Sequence, residues 1–115
     1  MAGLSVYFVA SIAIRDREEY EKYLAGADSV FERYGGEYLA VDTNPEVVEG
    51  DCSCERLVLI RFPSEDEFRR WYYSSEYQEL LQHRLAGARC NTLLVKGKAV
   101  ASLPVAPPPA SPEQE

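Results

Sequence analysis

The sequence is poor in the residues that most often carry chemistry: one histidine, His83, one methionine, one tryptophan and three cysteines. Cys52, Cys54 and Cys90 are too few and too unevenly spaced for a disulfide framework. The C-x-C pair supplies only half of a tetrahedral zinc site, so neither a metal nor another cofactor is expected, and the cysteines read as free thiols in a reducing compartment. Basic residues are also scarce. Twelve Lys and Arg against 19 Asp and Glu leave a formal net charge of −7, which disfavours a phosphate backbone or an anionic membrane as partner. No apolar run is long enough to span a bilayer. The stretch from Gly3 to Ile14 is apolar enough for a signal-peptide core but has no basic n-region and no convincing cleavage site, so it reads as a strand and the protein as soluble and cytoplasmic. Gly35-Gly36 lacks the lysine and hydroxyl of a phosphate-binding loop, and reads as a helix stop.

What is present concentrates between Glu55 and Arg84. Leu57 to Ile60 and Phe62, broken only by Arg61, suit a central strand that Pro63 ends. Ser64 then caps a helix, with Glu67 placed to reach back to the cap amide in a capping box, and Phe68, Trp71 and Tyr72 face inward. Ser74 caps a further helix with Glu76 in its first turn and Tyr77, Leu80, Leu81, Arg84 and Leu85 on one face, up to Gly87.

Around this centre, Leu4 to Ile14 alternates as a strand with Leu4, Val6, Phe8, Ala10 and Ile12 on one face and Tyr7, Val9, Ser11 and Ala13 on the other. Asp16 and Glu19 form a second capping box, opening an amphipathic helix through Tyr20, Tyr23, Leu24, Ala27, Val30, Phe31 and Tyr34. Glu37 to Val41 is a strand, Glu46 to Gly50 its continuation or a second short strand, and Asn91 to Lys96 the last strand. Five of the seven prolines lie between Pro104 and Pro112, which predicts a disordered Ala/Pro-rich tail over 99–115 behind a single domain over 1–98. The order is strand, helix, two strands, helix, strand: an α+β, ferredoxin-like βαββαβ pattern with a four-stranded antiparallel sheet. Its helices cover one sheet face, and pairing with a second copy would bury the other in a homodimer.

Tyr7, Asp16 with Tyr20 and Tyr23, the run Tyr34 to Leu39, Glu49-Gly50, Arg56-Leu57-Val58, Phe62-Pro63-Ser64, Trp71-Tyr72, Ser74 to Gln78, Arg84 and Leu94 to Gly97 together resemble the domain-of-unknown-function 1330 family (DUF1330). The resemblance covers about Leu4 to Gly97, with Ser75 where the family often has proline. It implies a dimeric α+β barrel. The wider superfamily includes cofactor-independent monooxygenases, muconolactone-type isomerases, haem-degrading enzymes and barrels of no established chemistry. The resemblance therefore transfers an architecture and leaves the reaction open.

The residues singled out as ligand-binding candidates are Tyr7, Arg61, Trp71, Tyr77 and Arg84, with Tyr72, Glu49, Arg56 and His83 behind them. An arginine on the inward stripe of a helix needs an anionic partner, either a ligand or a structural carboxylate such as Glu49. Arg61 either lines a barrel interior or marks the exposed end of its strand. His83 could act as a base beside Arg84, but helical spacing turns it toward solvent, and haem ligation is set aside. Tyr20, Tyr23 and Tyr34 read as edges of the core. Three functions follow as expectations: a homodimer binding a small organic molecule, a cofactor-independent oxygenase or isomerase acting on an aromatic or lactone, and a dimeric interaction module without catalysis.

Overall fold

The computed structural model describes residues 4–98. The chain runs β1 (Val6–Ile14), α1 (Arg17–Glu32), β2 (Glu37–Asp42), β3 (Arg56–Phe62), α2 (Glu65–Tyr72), α3 (Ser75–Gly87) and β4 (Ala88–Lys96). The strands form one antiparallel sheet in the order β2-β3-β1-β4, the ferredoxin-like arrangement. Strand alternation decides what each face does. Val6, Phe8, Ala10 and Ile12 of β1 and Val58, Ile60 and Phe62 of β3 point to the helices and are buried. They pack with Tyr20, Val30 and Phe31 of α1, Phe68 and Trp71 of α2 and Tyr77 and Leu81 of α3 in one continuous core. Trp71 is its centre, with ring centroids of Tyr77 at 4.0 Å, Phe62 at 5.1 Å and Phe8 at 5.5 Å.

No helix among the described residues lies over the opposite face. Its rows follow the register: Glu37, Arg61, Tyr7 and Val95; then Ala40, Leu59, Val9 and Leu93; then Asp42, Leu57, Ser11 and Asn91. Leu93 is 64% exposed on this face.

Local chemistry sets the ends of the helices. The Asp16 side chain accepts from Glu19 N at 3.3 Å, Ser64 Oγ from Glu67 N at 3.2 Å and Ser74 Oγ from Tyr77 N at 3.1 Å. The reciprocal halves of both capping boxes are not made. The Asp16 amide donates to the Gly87 carbonyl at 2.9 Å, the Glu19 carboxylate turns to His83 and Lys22, and Glu67 lies 3.8 Å from Arg70. Tertiary partners outcompete the local loop. Gly35 has φ +82°, the left-handed geometry expected after α1. A Cβ on Gly36 would lie 2.1 Å from Phe31 Cδ1, so the chain can turn back against α1 only without a side chain there.

Three expectations about elements are corrected. Glu46 to Gly50 is no strand: residues 43–55 form an irregular exposed connection, because Asp42 already completes pairing with β3. The last strand starts at Ala88, directly after α3, since β1 offers partners from Ile14 onward. Leu85 is 64% exposed, because the inward stripe of α3 runs through Tyr77, Leu81, Arg84 and Gly87 and leaves Leu85 beside it. The tail expected over 99–115, and with it the domain boundary, lies outside the described residues. No helix among the described residues is long and apolar enough to cross a membrane.

Candidate functional site

Between the covered sheet face and α1 lies a slot of about 20 Å³ lined by Phe8, Ala10, Ile12, Tyr20, Tyr23, Leu24, Tyr38, Arg56, Val58, Ile60 and Arg84. It admits a group of about the size of one water. Beside it, an open groove of about 320 Å³ is lined by Ile14, Arg17, Tyr20, Leu24, Thr43, Glu55 and Arg56. Tyr20, Leu24 and Arg56 line both, so the groove leads into the slot.

Arg84 is the exceptional residue here. Its place on α3 follows from the helical period, which sets it one and two turns after Leu81 and Tyr77 on the inward face. It is 3% exposed, the only charged side chain in the core among the described residues, and its Nε has no hydrogen-bond partner. It pairs with no carboxylate among the described residues; its guanidinium carbon stands 5.7 Å from the centroid of the Tyr23 ring. Burial works against its charge; Tyr77 and Tyr23, which attract it as anions only at alkaline pH where they ionise, carry its pKa above the ordinary arginine value. At neutral pH the two phenols are uncharged and offer dipoles and ring faces only. The cation is thus sealed in without an anion.

The phenols beside it hold their protons. Tyr23 Oη and Tyr77 Oη are 2.8 Å apart. Burial raises the pKa of Tyr23 well above the usual phenol value, and raises that of Tyr77 and Tyr20 as well. Tyr38, which donates to Asp28 Oδ1 at 2.7 Å, is shifted up by burial and by that acidic acceptor. These groups are hydrogen-bond donors at neutral pH and poor bases. Arg56, at the start of β3 opposite Ile12, brings a second guanidinium to the slot, again with a buried, unpartnered Nε.

The candidates read from the sequence separate. Arg84, Tyr77, Arg56, Trp71 and Tyr72 come together on the helix side of the sheet, whereas Tyr7 and Arg61 lie on the open face. Arg61 is tied down there: Nη2 donates to Glu37 Oε1 at 2.8 Å and Nη1 to Ser5 Oγ at 3.1 Å. Trp71 does not line the slot; it is packed, with its Nε1 buried and unpartnered. Glu49 sits in the exposed connection and makes no pair with Arg84, which removes the expected structural carboxylate. His83 is not simply solvated. Its Nδ1 lies 2.6 Å from Glu19 Oε2, joining α3 to α1 away from the slot's lining.

Residues 5–98 match the family described as Domain of unknown function (DUF1330). The chain belongs to the DUF1330 family. No curated protein matches it. Among solved structures, the RPA0582 protein of unknown function from Rhodopseudomonas palustris is 19% identical with a TM-score of 0.74, covering 85% of both chains. SnoaB, a cofactor-independent oxygenase from Streptomyces nogalater, is 17% identical with a TM-score of 0.61, covering 87% of this chain and 99% of its own. A dimeric ferredoxin-like protein of unknown function from Thermobifida fusca is 10% identical with a TM-score of 0.58, covering 82% and 92%. At these identities the likeness is one of fold.

In this DUF1330 chain, Tyr20, Tyr23 and Tyr38 are the slot residues that the sequence left among core edges or strand positions. Helical period alone could not separate a tyrosine whose hydroxyl ends in the core from one whose hydroxyl reaches solvent. The usable signal was the concentration of phenols opposite an inward arginine. Among the described residues no group of three or more His, Cys, Asp or Glu side chains is placed to hold a metal ion.

Proposed function

We propose that this DUF1330 protein is a homodimer that binds a small organic molecule between its sheet and its helices. The observation that carries this is the buried Arg84 cation, which faces a slot without a carboxylate partner among the described residues. A purely structural role would call for a paired charge, because an unpaired buried ion is destabilising by several kcal/mol as an order of magnitude. The slot takes only the head of a ligand, and the adjoining groove of about 320 Å³ has the size of a small-molecule site. The dimeric part rests on the uncovered sheet face, where Val9, Leu59, Leu93 and Val95 form an apolar patch across three strands. The dimeric protein of like fold from Thermobifida fusca supports the same reading.

Native mass spectrometry of the full chain tests both parts. The expected spectrum is a dimer with extra mass on some molecules, and Leu93→Glu is expected to give a monomer that remains folded, since Leu93 lies outside the protomer core. A monomeric wild-type protein would remove the dimer, and a dimer bare under every purification would weigh toward an interaction module.

A second reading, a cofactor-independent oxygenase or isomerase, draws on the Tyr23 and Tyr77 hydroxyls beside Arg84 and on the fold shared with SnoaB. Such a site would stabilise a developing oxyanion with two proton-bearing phenols and a cation. It predicts turnover of an activated aromatic or lactone that falls in both Tyr23→Phe and Arg84→Lys. Turnover unchanged in both variants would exclude this cluster as its centre.

A further inference from the structure

We propose that the slot receives the carboxylate of a small organic acid, held by the Arg84 and Arg56 guanidiniums, with the apolar body of the acid in the groove outside. The inference rests on the small-molecule reading above and names the class of ligand. Three observations converge on it. Both arginines line the same slot, and each has a buried Nε–H without an acceptor. Eight ion pairs occur among the described residues, and none includes either arginine, although acidic side chains outnumber basic ones in the chain. Of the phenols that line the slot, Tyr38 already gives its proton to Asp28 and Tyr23 is paired with Tyr77, which leaves the Tyr20 hydroxyl, protonated at neutral pH, as a further donor. A cavity lined by two cations, with no carboxylate in its lining among the described residues, is complementary to an anion.

Size and surroundings narrow the anion. At about 20 Å³ the slot admits one oxygen of a carboxylate, with the rest of the head toward the groove, and is too small for a whole tetrahedral phosphate. Two guanidinium forks match the two carboxylate oxygens, each fork with parallel N–H donors. Leu24 and the Tyr20 ring line both the slot and the groove, and with Ile14 of the groove they give an apolar body its contacts. Glu55, at the groove wall, already accepts from the Ile14 amide at 2.8 Å and does not pair with Arg56.

The test is titration of the full chain with acetate and benzoate, each against its neutral amide, at constant ionic strength, observing arginine Nε–H resonances by two-dimensional NMR. The acids should move the Arg84 Nε–H resonance to a saturating end point, and acetamide and benzamide should not. Arg84→Lys keeps the charge and loses the fork, so benzoate affinity should fall about tenfold or more. Arg56→Met, at the rim where the fold is less at risk, should weaken it in the same direction. Equal shifts with acids and amides would overturn the carboxylate assignment, as would an Arg84 resonance that benzoate leaves in place. Saturation by chloride alone would make this a simple inorganic-anion site and overturn the organic acid. A neutral molecule found bound in the native mass spectrum, displaced by none of the acids, would leave the small-molecule reading standing and this inference refuted.

Discussion

Replacing Arg84 by methionine should leave the ligand-free protein as stable as the wild type or more stable, which is the reverse of the usual outcome for a core substitution. Arg84 is 3% exposed, with one buried donor unmet. Burial of an unpaired cation costs several kcal/mol after relaxation, on the order of that seen for other buried ions. Against this stand a ring contact at 5.7 Å from Tyr23, worth about 0.5–2 kcal/mol, and dipoles from neutral phenols worth about 1 kcal/mol each. The balance is unfavourable by roughly 0–2 kcal/mol. Methionine keeps the apolar stem without the charge, so urea unfolding at fixed protein concentration should show a gain of about 0–2 kcal/mol. A gain of 1 kcal/mol would raise the melting temperature by roughly 4–8 °C for a domain of this size. Fixed concentration matters because the stability of the proposed dimer would depend on it. A loss above about 1 kcal/mol would show that Arg84 is a net structural contributor, and the argument from its unpaired charge would fail.

Gly36→Ala should destabilise the protein by about 1–3 kcal/mol, because the added methyl meets the Phe31 ring at 2.1 Å, and chemical denaturation measures it. Tyr23→Phe removes one hydroxyl of the 2.8 Å pair and leaves Tyr77 without it, for an expected loss of about 1–2 kcal/mol. The same variant reports on alkaline stability. Tyr23 has a folded pKa raised by burial, so its contribution is intact below the ordinary phenol pKa and is lost as pH rises through the folded value; Tyr23→Phe should flatten that alkaline decline in melting temperature. At the acid end, the hydrogen bond from His83 is the main cause of the lowered Glu19 pKa. A depressed carboxylate stabilises above its unfolded pKa, and the effect disappears as pH falls through the lower folded value. His83→Ala should therefore make the acid decline shallower; an identical acid limb in wild type and variant would count against the pair.

Much of the fold was legible because its signals are local. Alternation along Val6–Ile14 placed Tyr7 and Val9 on one face and Phe8 and Ala10 on the other, and both positions hold in the sheet. Asp16, Ser64 and Ser74 were read as caps, and each accepts the expected backbone amide. The failures also share a cause. Glu46 to Gly50 has a composition compatible with a strand, yet composition does not decide pairing, and the chain leaves the sheet after Asp42. Glu19 has the spacing of a capping box, yet its carboxylate found His83 on another helix.

The site divides along the same line. The inward position of Arg84 came from the helical period, and its need for an anion from the energetics of a buried charge; both are properties of one segment of chain. Which groups surround it depends on α1, α3 and β3 meeting, and no local pattern reports that. Only the packed structure put Tyr20, Tyr23 and Arg56 in its slot, tied Arg61 to Glu37 on the far face, and removed Glu49 from contention. Periodicity and capping act over one or two turns of chain, whereas a site is made of side chains that are neighbours only because the whole sheet and its helices have closed on one core.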